Sequence, residues 1–338
     1  MIPVLEIGGT HVTAALVDLH DGRVTSRTRK PLDADGDAED ILATVRLCAD
    51  GLSVSPGARW GVAVPGPFDY ARGVGLFRGV GKFEALYGMD VRAAFLDGLR
   101  QRPSDVVFLN DAHAFLTGEW FAGTVRGHRR AVGITLGTGV GSAFLADGRI
   151  CDSGAGIPPE GRMDLTEIDG RPLEDIVSRR AILARYGDPA ADVQDIAGRA
   201  RAGEARARCV LDSVFTRLGV VLGPRMVGFG ATALVVGGSM ARSWDLVAPA
   251  LSTGLVTGGW TPDDPRADAD SLPPGAPACP TGGVPPGPGH ASAVDERRPR
   301  PRPRPRTRTR TRTRTRTVKP AGPAGDAALV GAARAAVV

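Results

Sequence analysis

The residues best placed to do chemistry are an aspartate at a strand-to-helix junction and a set of short glycine turns. Val106-Val107-Phe108-Leu109 reads as a short apolar strand, and Asn110-Asp111 follows it where helix caps sit, ahead of a helix over Ala112 to Trp120. With a reference pKa of about 3.9, an aspartate is ionised at neutral pH and able to accept a proton. Taken alone, Asp111 and Asn110 are equally plain N-caps. Gly8-Gly9-Thr10 and Gly137-Thr138-Gly139 are turns whose backbone N–H groups can approach phosphate oxygens, with threonine hydroxyls as further donors. Each could be an ordinary hairpin turn. Their occurrence at matching points of two similar segments favours phosphate.

Those segments frame the fold. Val4 to Ile7 reads as a strand, Gly8-Gly9-Thr10 as a turn and Val12 to Val17 as a returning strand, with Asp21-Gly22 turning the chain again. Ala131 to Leu136, Gly137-Thr138-Gly139, Gly141 to Leu145 and Asp147-Gly148-Arg149 repeat the same succession. Two related α/β lobes are the economical explanation. Between the copies, Asp37 to Leu52 has helical spacing at Ile41, Val45 and Cys48, and Trp60 to Val64 reads as a buried strand ended by Pro65-Gly66-Pro67. Beyond them, Pro172 to Tyr186 and Asp192 to Leu222 read as helices, Ala233 to Val236 as a strand, Gly237-Gly238 as a turn and Trp244 to Leu251 as a helix.

Composition removes several classes of function. The 338 residues, 42% of them hydrophobic, are enough for two globular units. Met1 to Glu6 has no basic leader and no long apolar run, so the expectation is a cytoplasmic protein with no membrane partner. Cys48, Cys151, Cys209 and Cys279 form no C-x-x-C pair, and neither a disulfide framework nor a zinc site is expected. The formal charge of +5 resides in residues 297 to 316, which hold 11 Arg and no acid; without them the chain carries −6. Gly79-Val80-Gly81-Lys82 resembles the end of a Walker A loop, but Leu76 stands at the first glycine position and Phe83 follows the lysine. A dinucleotide fingerprint is absent as well, because Gly137-x-Gly139-x-Gly141 leads into a strand.

The motifs resemble those of the ROK family of sugar kinases. Leu5-Glu6-Ile7-Gly8-Gly9-Thr10 is similar to the family's D-I-G-G-T-K, and Leu109-Asn110-Asp111-Ala112 with Gly118-Glu119 to its N-D-A and G-E segment. Ile134 to Gly141 resembles the second phosphate motif and Leu234 to Gly238 the adenosine-side motif, in matching order over residues 1 to 256. The resemblance implies an α/β fold of two ribonuclease-H-like (actin-like ATPase) lobes around a cleft, with residues 1–112 and 113–256 as the lobes. It implies ATP and Mg²⁺ as cofactors, a small-molecule sugar as substrate and Asp111 as general base. Gly8, Gly9, Thr10, Gly137, Thr138, Gly139, Gly237 and Gly238 would bind the nucleotide. Gly66, Asn110, Asp111, Glu160 and Glu174 would bind the sugar, the two glutamates from the segments Pro159 to Met163 and Arg171 to Glu174. Glu160 and Glu174 read equally as solvated surface acids. A homo-oligomer is left open.

Departures from the family pattern follow. The zinc-binding cysteine cluster is missing between Glu160 and Glu174, and Arg162 stands where its histidine would be. Glu6 replaces the aspartate that helps hold Mg²⁺, which moves the carboxylate by about 1 Å, an error able to cost about 10²-fold at a catalytic centre. Val80 to Phe83 replaces the family's N-L-x-x-W sugar loop. Residues 257–317 form a low-complexity insert of Arg-Pro and Arg-Thr repeats with no apolar face to bury. A strand and helix resume over 318–338 and restore the ending that the insert interrupts. Two other functions stay open. One is a non-catalytic sugar-sensing regulator of the same family, against which stand the retained Asp111 and a chain that begins at the phosphate motif without a winged helix. The other is nucleic-acid binding through the Arg tract, although no nucleic-acid partner is expected from the mildly acidic remainder.

Overall fold

The computed structural model describes residues 1–262, 316–322 and 325–338. Most of the 257–317 segment therefore lies outside the described residues. β1 (Ile2–Ile7), β2 (His11–Asp18) and β3 (Arg23–Pro31) form an antiparallel meander, with Ile2 opposite Val17 and Ile7 opposite Val12. α1 (Ala38–Ala49) starts where the Asp37 carboxylate accepts from the Asp40 N–H at 2.9 Å, and it buries Ile41, Leu42, Val45 and Cys48. β4 (Arg59–Val64) then lies parallel to β1. A ribbon of β5 (Phe68–Asp69) and β6 (Val74–Gly75) and the helix α2 (Val91–Gly98) precede β7 (Asp105–Asn110), which lies parallel to β4. The sheet order is β3-β2-β1-β4-β7.

α3 (Asp111–Phe121) carries the chain to the second sheet, whose meander is β8 (Arg130–Leu136), β9 (Val140–Ala146) and β10 (Arg149–Cys151). A second ribbon, β11 (Glu167–Ile168) and β12 (Arg171–Pro172), leads to α4 (Glu174–Val177), α5 (Arg179–Tyr186), α6 (Val193–Arg201) and α7 (Ala205–Phe229). β13 (Ala233–Gly237) lies parallel to β8; α8 (Trp244–Thr257) follows, and β14 (Thr317–Pro320) lies parallel to β13. This sheet runs β10-β9-β8-β13-β14, the same order and the same strand directions as the first. The repeat read from the two glycine turns is thus a repeat of whole sheets.

The final helix, α9 (Ala327–Ala335), does not stay with β14. It crosses to the first lobe, where Ala328, Leu329, Val330, Ala332 and Ala333 pack with Val4, Ala15 and Ala63 and with Ala114 of α3. Small residues permit this. A methyl group on Gly118 would lie 1.8 Å from the Ala327 carbonyl oxygen, one on Gly331 1.9 Å from that of Ala114, and one on Gly61 2.1 Å from that of Ala332. Glu119, buried in α3, ties the crossing down by accepting from the Gly322 N–H at 2.9 Å and from Thr124 N–H at 2.7 Å and Oγ1 at 2.9 Å. Gly118-Glu119 therefore has a packing role at the α3–α9 crossing.

Several boundaries differ from the sequence reading. The helix expected over Pro172 to Tyr186 breaks at Ser178, whose hydroxyl caps α5 by accepting from Ala181 N–H at 3.3 Å. The Asp192 to Leu222 stretch breaks around Gly203, and α7 then runs past Leu222 and through Pro224 to Phe229. Proline there leaves the Val220 carbonyl without its helical donor. Gly258 packs against that oxygen, close enough that a methyl group on Gly258 would lie 2.8 Å from it. α8 extends beyond Leu251 to Thr257, and Trp260 is fully buried with its indole N–H donated to the Ala231 carbonyl at 3.0 Å. The described chain thus runs past residue 256. Arg316 is described as well, and Thr317 lies inside β14.

Candidate functional site

The cleft side of both sheets is where the strands end at glycine turns. In the first turn the Gly8 N–H donates to His11 O at 2.9 Å, and Gly9 and Thr10 are exposed. In the second, Gly137 N–H donates to Gly139 O at 3.1 Å, Thr138 is exposed, and nothing lies within 4 Å of where a Gly137 side chain would point. Exposed backbone at turns of this kind is what a phosphate cradle requires.

Asp111 is the first residue of α3, so the positive end of the helix faces its carboxylate. Oδ1 accepts from the Ala112 N–H at 2.8 Å. Burial raises its pKa, while that hydrogen bond and the charge of Lys82 act to lower it. Glu6, at the end of β1, has no ion pair among the described residues. Its carboxyl is pushed up from 4.5 to about 7, first by burial and then by the negative charge of Asp111, against the weaker pull of Arg29 and Arg27. The negative charge of Asp111 thus works against ionisation of Glu6.

Asn110 is the N-cap of α3: its Oδ1 accepts from Ala112 N–H at 2.9 Å and His113 N–H at 3.3 Å. Its Nδ2 donates to Tyr70 Oη at 3.0 Å, which leaves the second amide hydrogen for a ligand. Gly66, in the Pro65-Gly66-Pro67 turn, stands beside this pair, since a methyl group there would lie 3.3 Å from Tyr70 Oη and 3.9 Å from Asn110 Nδ2. Burial keeps Tyr70 a neutral phenol, and the Asp111 charge reinforces this against the hydrogen bond from Asn110. Burial likewise lowers the pKa of His113.

Glu174 opens α4 and turns toward the second glycine loop; its Oε2 accepts from Val140 N–H at 3.4 Å and would be 3.0 Å from a methyl group on Gly139. Glu160 is exposed, with a left-handed φ of 57°. Arg162 links the two: its guanidinium is held by Asp164 at 2.6 and 3.3 Å, and the charges of Glu160 and Glu174 act on it as well. Gly237 and Gly238 back onto the same region. A methyl group on Gly237 would strike the Phe115 ring at 2.6 Å, and one on Gly238 the Leu136 carbonyl at 2.2 Å. Their small size is thus needed to seat β13 against α3 and β8.

Tyr70 and Lys82 are the site residues that motif reading missed. Tyr70 has no sequence signal. Lys82 was visible only as the end of a failed Walker A match and as part of the Val80 to Phe83 departure from the sugar loop, yet its Cδ would lie 3.9 Å from a methyl group on Gly9. Among the described residues no group of three or more His, Cys, Asp or Glu is arranged to hold a metal ion. No helix among them is long and apolar enough to cross a membrane.

Two mirrored sheets, paired glycine turns and a carboxylate at the helix between them define a two-lobed fold of the actin-like ATPase class. The chain belongs to the ROK family, whose pattern matches residues 3–258. It is 27% identical over 272 residues to the glucokinase of Thermotoga maritima, covering 72% of this chain and 83% of that one. The structure of a ROK family glucokinase from Streptomyces griseus, in complex with glucose and AMPPNP, superposes with a TM-score of 0.65 at 21% identity, covering 98% of each chain. A ROK family transcriptional regulator, homologous to the E. coli MLC protein, gives a TM-score of 0.64 at 17% identity, covering 99% of this chain and 77% of that one.

Proposed function

We propose that this protein is an ATP-dependent kinase that phosphorylates a hydroxyl of a hexose or hexose derivative, with Asp111 as general base. The observation that carries the reading is the placement of Asp111: a carboxylate on the N-terminus of the helix that joins the two sheets, beside Asn110 with a free amide hydrogen. A regulator that only senses sugar has no need of a carboxylate at the reacting position.

In this mechanism Asn110 and Gly66 line the sugar subsite, and Glu160 and Glu174 accept from further hydroxyls. Asp111 takes the proton of the attacking hydroxyl as the sugar oxygen bonds to the γ-phosphorus. The bond from that phosphorus to the bridging oxygen breaks, and its electron pair stays on ADP. Base catalysis of this kind contributes typically about 10²- to 10⁴-fold; the remainder comes from alignment and from neutralising phosphate charge. Gly8, Gly9, Thr10, Gly137, Thr138 and Gly139 offer the donors for the phosphates, and Gly237 and Gly238 form the nucleotide side of the cleft. The Glu6 carboxylate, without an ion pair among the described residues, suits Mg²⁺, which takes one or two carboxylates together with substrate phosphates. Glu6 is the residue that would help hold it. When bound, the ion would neutralise charge on the phosphates.

A coupled ADP-release assay over glucose, fructose, mannose, allose and N-acetylated hexosamines tests this function. At least one sugar should give ADP at a rate well above the sugar-free background. A flat panel would sink it in favour of a sugar-sensing role.

A further inference from the structure

The segment from Leu76 to Leu86 enters the cleft and is held on both sides of one lysine. Gly79 and Gly81 take left-handed φ values of 68° and 69°, and so does Phe83 at 56°. For a bulky residue that conformation is costly and persists only where packing enforces it. Here the Phe83 ring is buried to 1% exposure and lies 5.3 Å from the Phe77 ring, while its N–H donates to Ala34 O at 2.6 Å. On the other side Gly81 N–H donates to Glu84 Oε1 at 3.0 Å. This local strain is offset by core anchoring. Its consequence is the direction of the side chain in between.

Lys82 runs from this loop back over the first glycine turn, passing close to Gly9. Among the described residues its ammonium makes no ion pair within 4 Å and no hydrogen bond. Glu84, the nearest acid in sequence, is engaged by Gly81. The charge of Lys82 is nevertheless the largest charge effect felt by Asp111. A cation with three unused donors, its stem beside the first glycine turn and its charge felt by the base, has the placement of a phosphate ligand.

We propose that Lys82 is a catalytic residue whose ammonium contacts the γ-phosphoryl group of ATP, both bound and in transit from ADP to the sugar. This rests on the kinase reading above. As the proton passes to Asp111 and the bond to ADP breaks, negative charge sits on the three equatorial oxygens of the moving group. Lys82 neutralises it from the side of the first lobe.

The test compares wild type with Lys82→Met, which keeps the aliphatic stem over Gly9, and Lys82→Arg, which keeps the charge. Calorimetric titration with AMPPNP and with ADP, without sugar, gives the ratio of their affinities for each protein. Turnover with the best sugar gives kcat. Lys82→Met should lose about tenfold or more of the preference for the triphosphate, and its kcat should fall by about 10²- to 10³-fold, the usual loss for one such donor. Lys82→Arg should hold the preference within about threefold of wild type, and all three should melt at the same temperature. An unchanged AMPPNP-to-ADP ratio in Lys82→Met, or a wild type that binds both equally, would overturn the proposal. If no sugar supports turnover, the kinase reading fails, yet the affinity ratio still decides the role of Lys82.

Discussion

Replacing Glu6 with glutamine should change how stability depends on pH. In the folded chain the Glu6 carboxyl titrates at about 7, whereas its ordinary value is 4.5. Below pH 4.5 both states hold the proton and Glu6 contributes no penalty. Between 4.5 and 7 the unfolded chain has lost its proton and the folded chain has not, so stability falls as pH rises through this window and levels off above 7. The shift of about 2.5 units corresponds to at most about 3 kcal/mol, at 1.36 kcal/mol per unit. Asp111 is raised by burial as well, and its charge is one of the causes that raise Glu6, so the substitution reports on both carboxyls. Urea unfolding of wild type and Glu6→Gln at intervals from pH 4.5 to 8 measures it. The variant should gain on wild type by about 2 to 3 kcal/mol between pH 4.5 and 7.5, and millimolar Mg²⁺ should shrink that gain. Parallel stability curves at every pH would refute the idea of two carboxylates buried against each other.

Two further outcomes follow from packing. Gly118→Ala forces a methyl group into the 1.8 Å gap before the Ala327 carbonyl, so α9 must move; urea unfolding should show a loss of about 1 to 3 kcal/mol, the usual cost of overpacking. Replacing residues 263–315 with a six-residue Gly-Ser linker should leave the fold intact, because the chain leaves and returns at one place. Trp260 bonds to Ala231 O and Thr317 N–H to Thr232 O, and the Arg316 guanidinium stacks 5.6 Å from the Trp260 ring. Loop-closure scaling favours the shorter connection by about 2 kcal/mol, so the melting temperature should hold or rise. A molten or aggregated product would show that the replaced residues are needed for folding.

Sequence legibility tracked the range of the interactions. The meanders and their turns were readable because hairpin chemistry is local: Gly8-Gly9-Thr10 and Gly137-Thr138-Gly139 announce themselves within a few residues. The N-cap geometry at Asn110 and Asp111 was readable for the same reason. β3 left little apolar signature, since Arg23 to Pro31 is polar apart from Val24 and Pro31 and owes its conformation to pairing with β2. α2 was missed because Val91 and Phe95 are its only fully buried apolar positions. The crossing of α9 to the first lobe depends on Gly61, Gly118 and Gly331 meeting in space, which no local pattern encodes. Lys82 and Tyr70 belong with these, because each reaches Asp111 or Asn110 only through the folded loops between β4 and α2.

The role of Asp111 is tested most directly by Asp111→Asn, which preserves size and the cap geometry while removing the proton acceptor. With the best sugar from the ADP-release panel, kcat should fall by about 10²- to 10⁴-fold, while the sugar dissociation constant, measured separately by calorimetry, stays within about threefold of wild type. A kcat within tenfold of wild type, or a loss that appears wholly in sugar binding, would contradict Asp111 as the base.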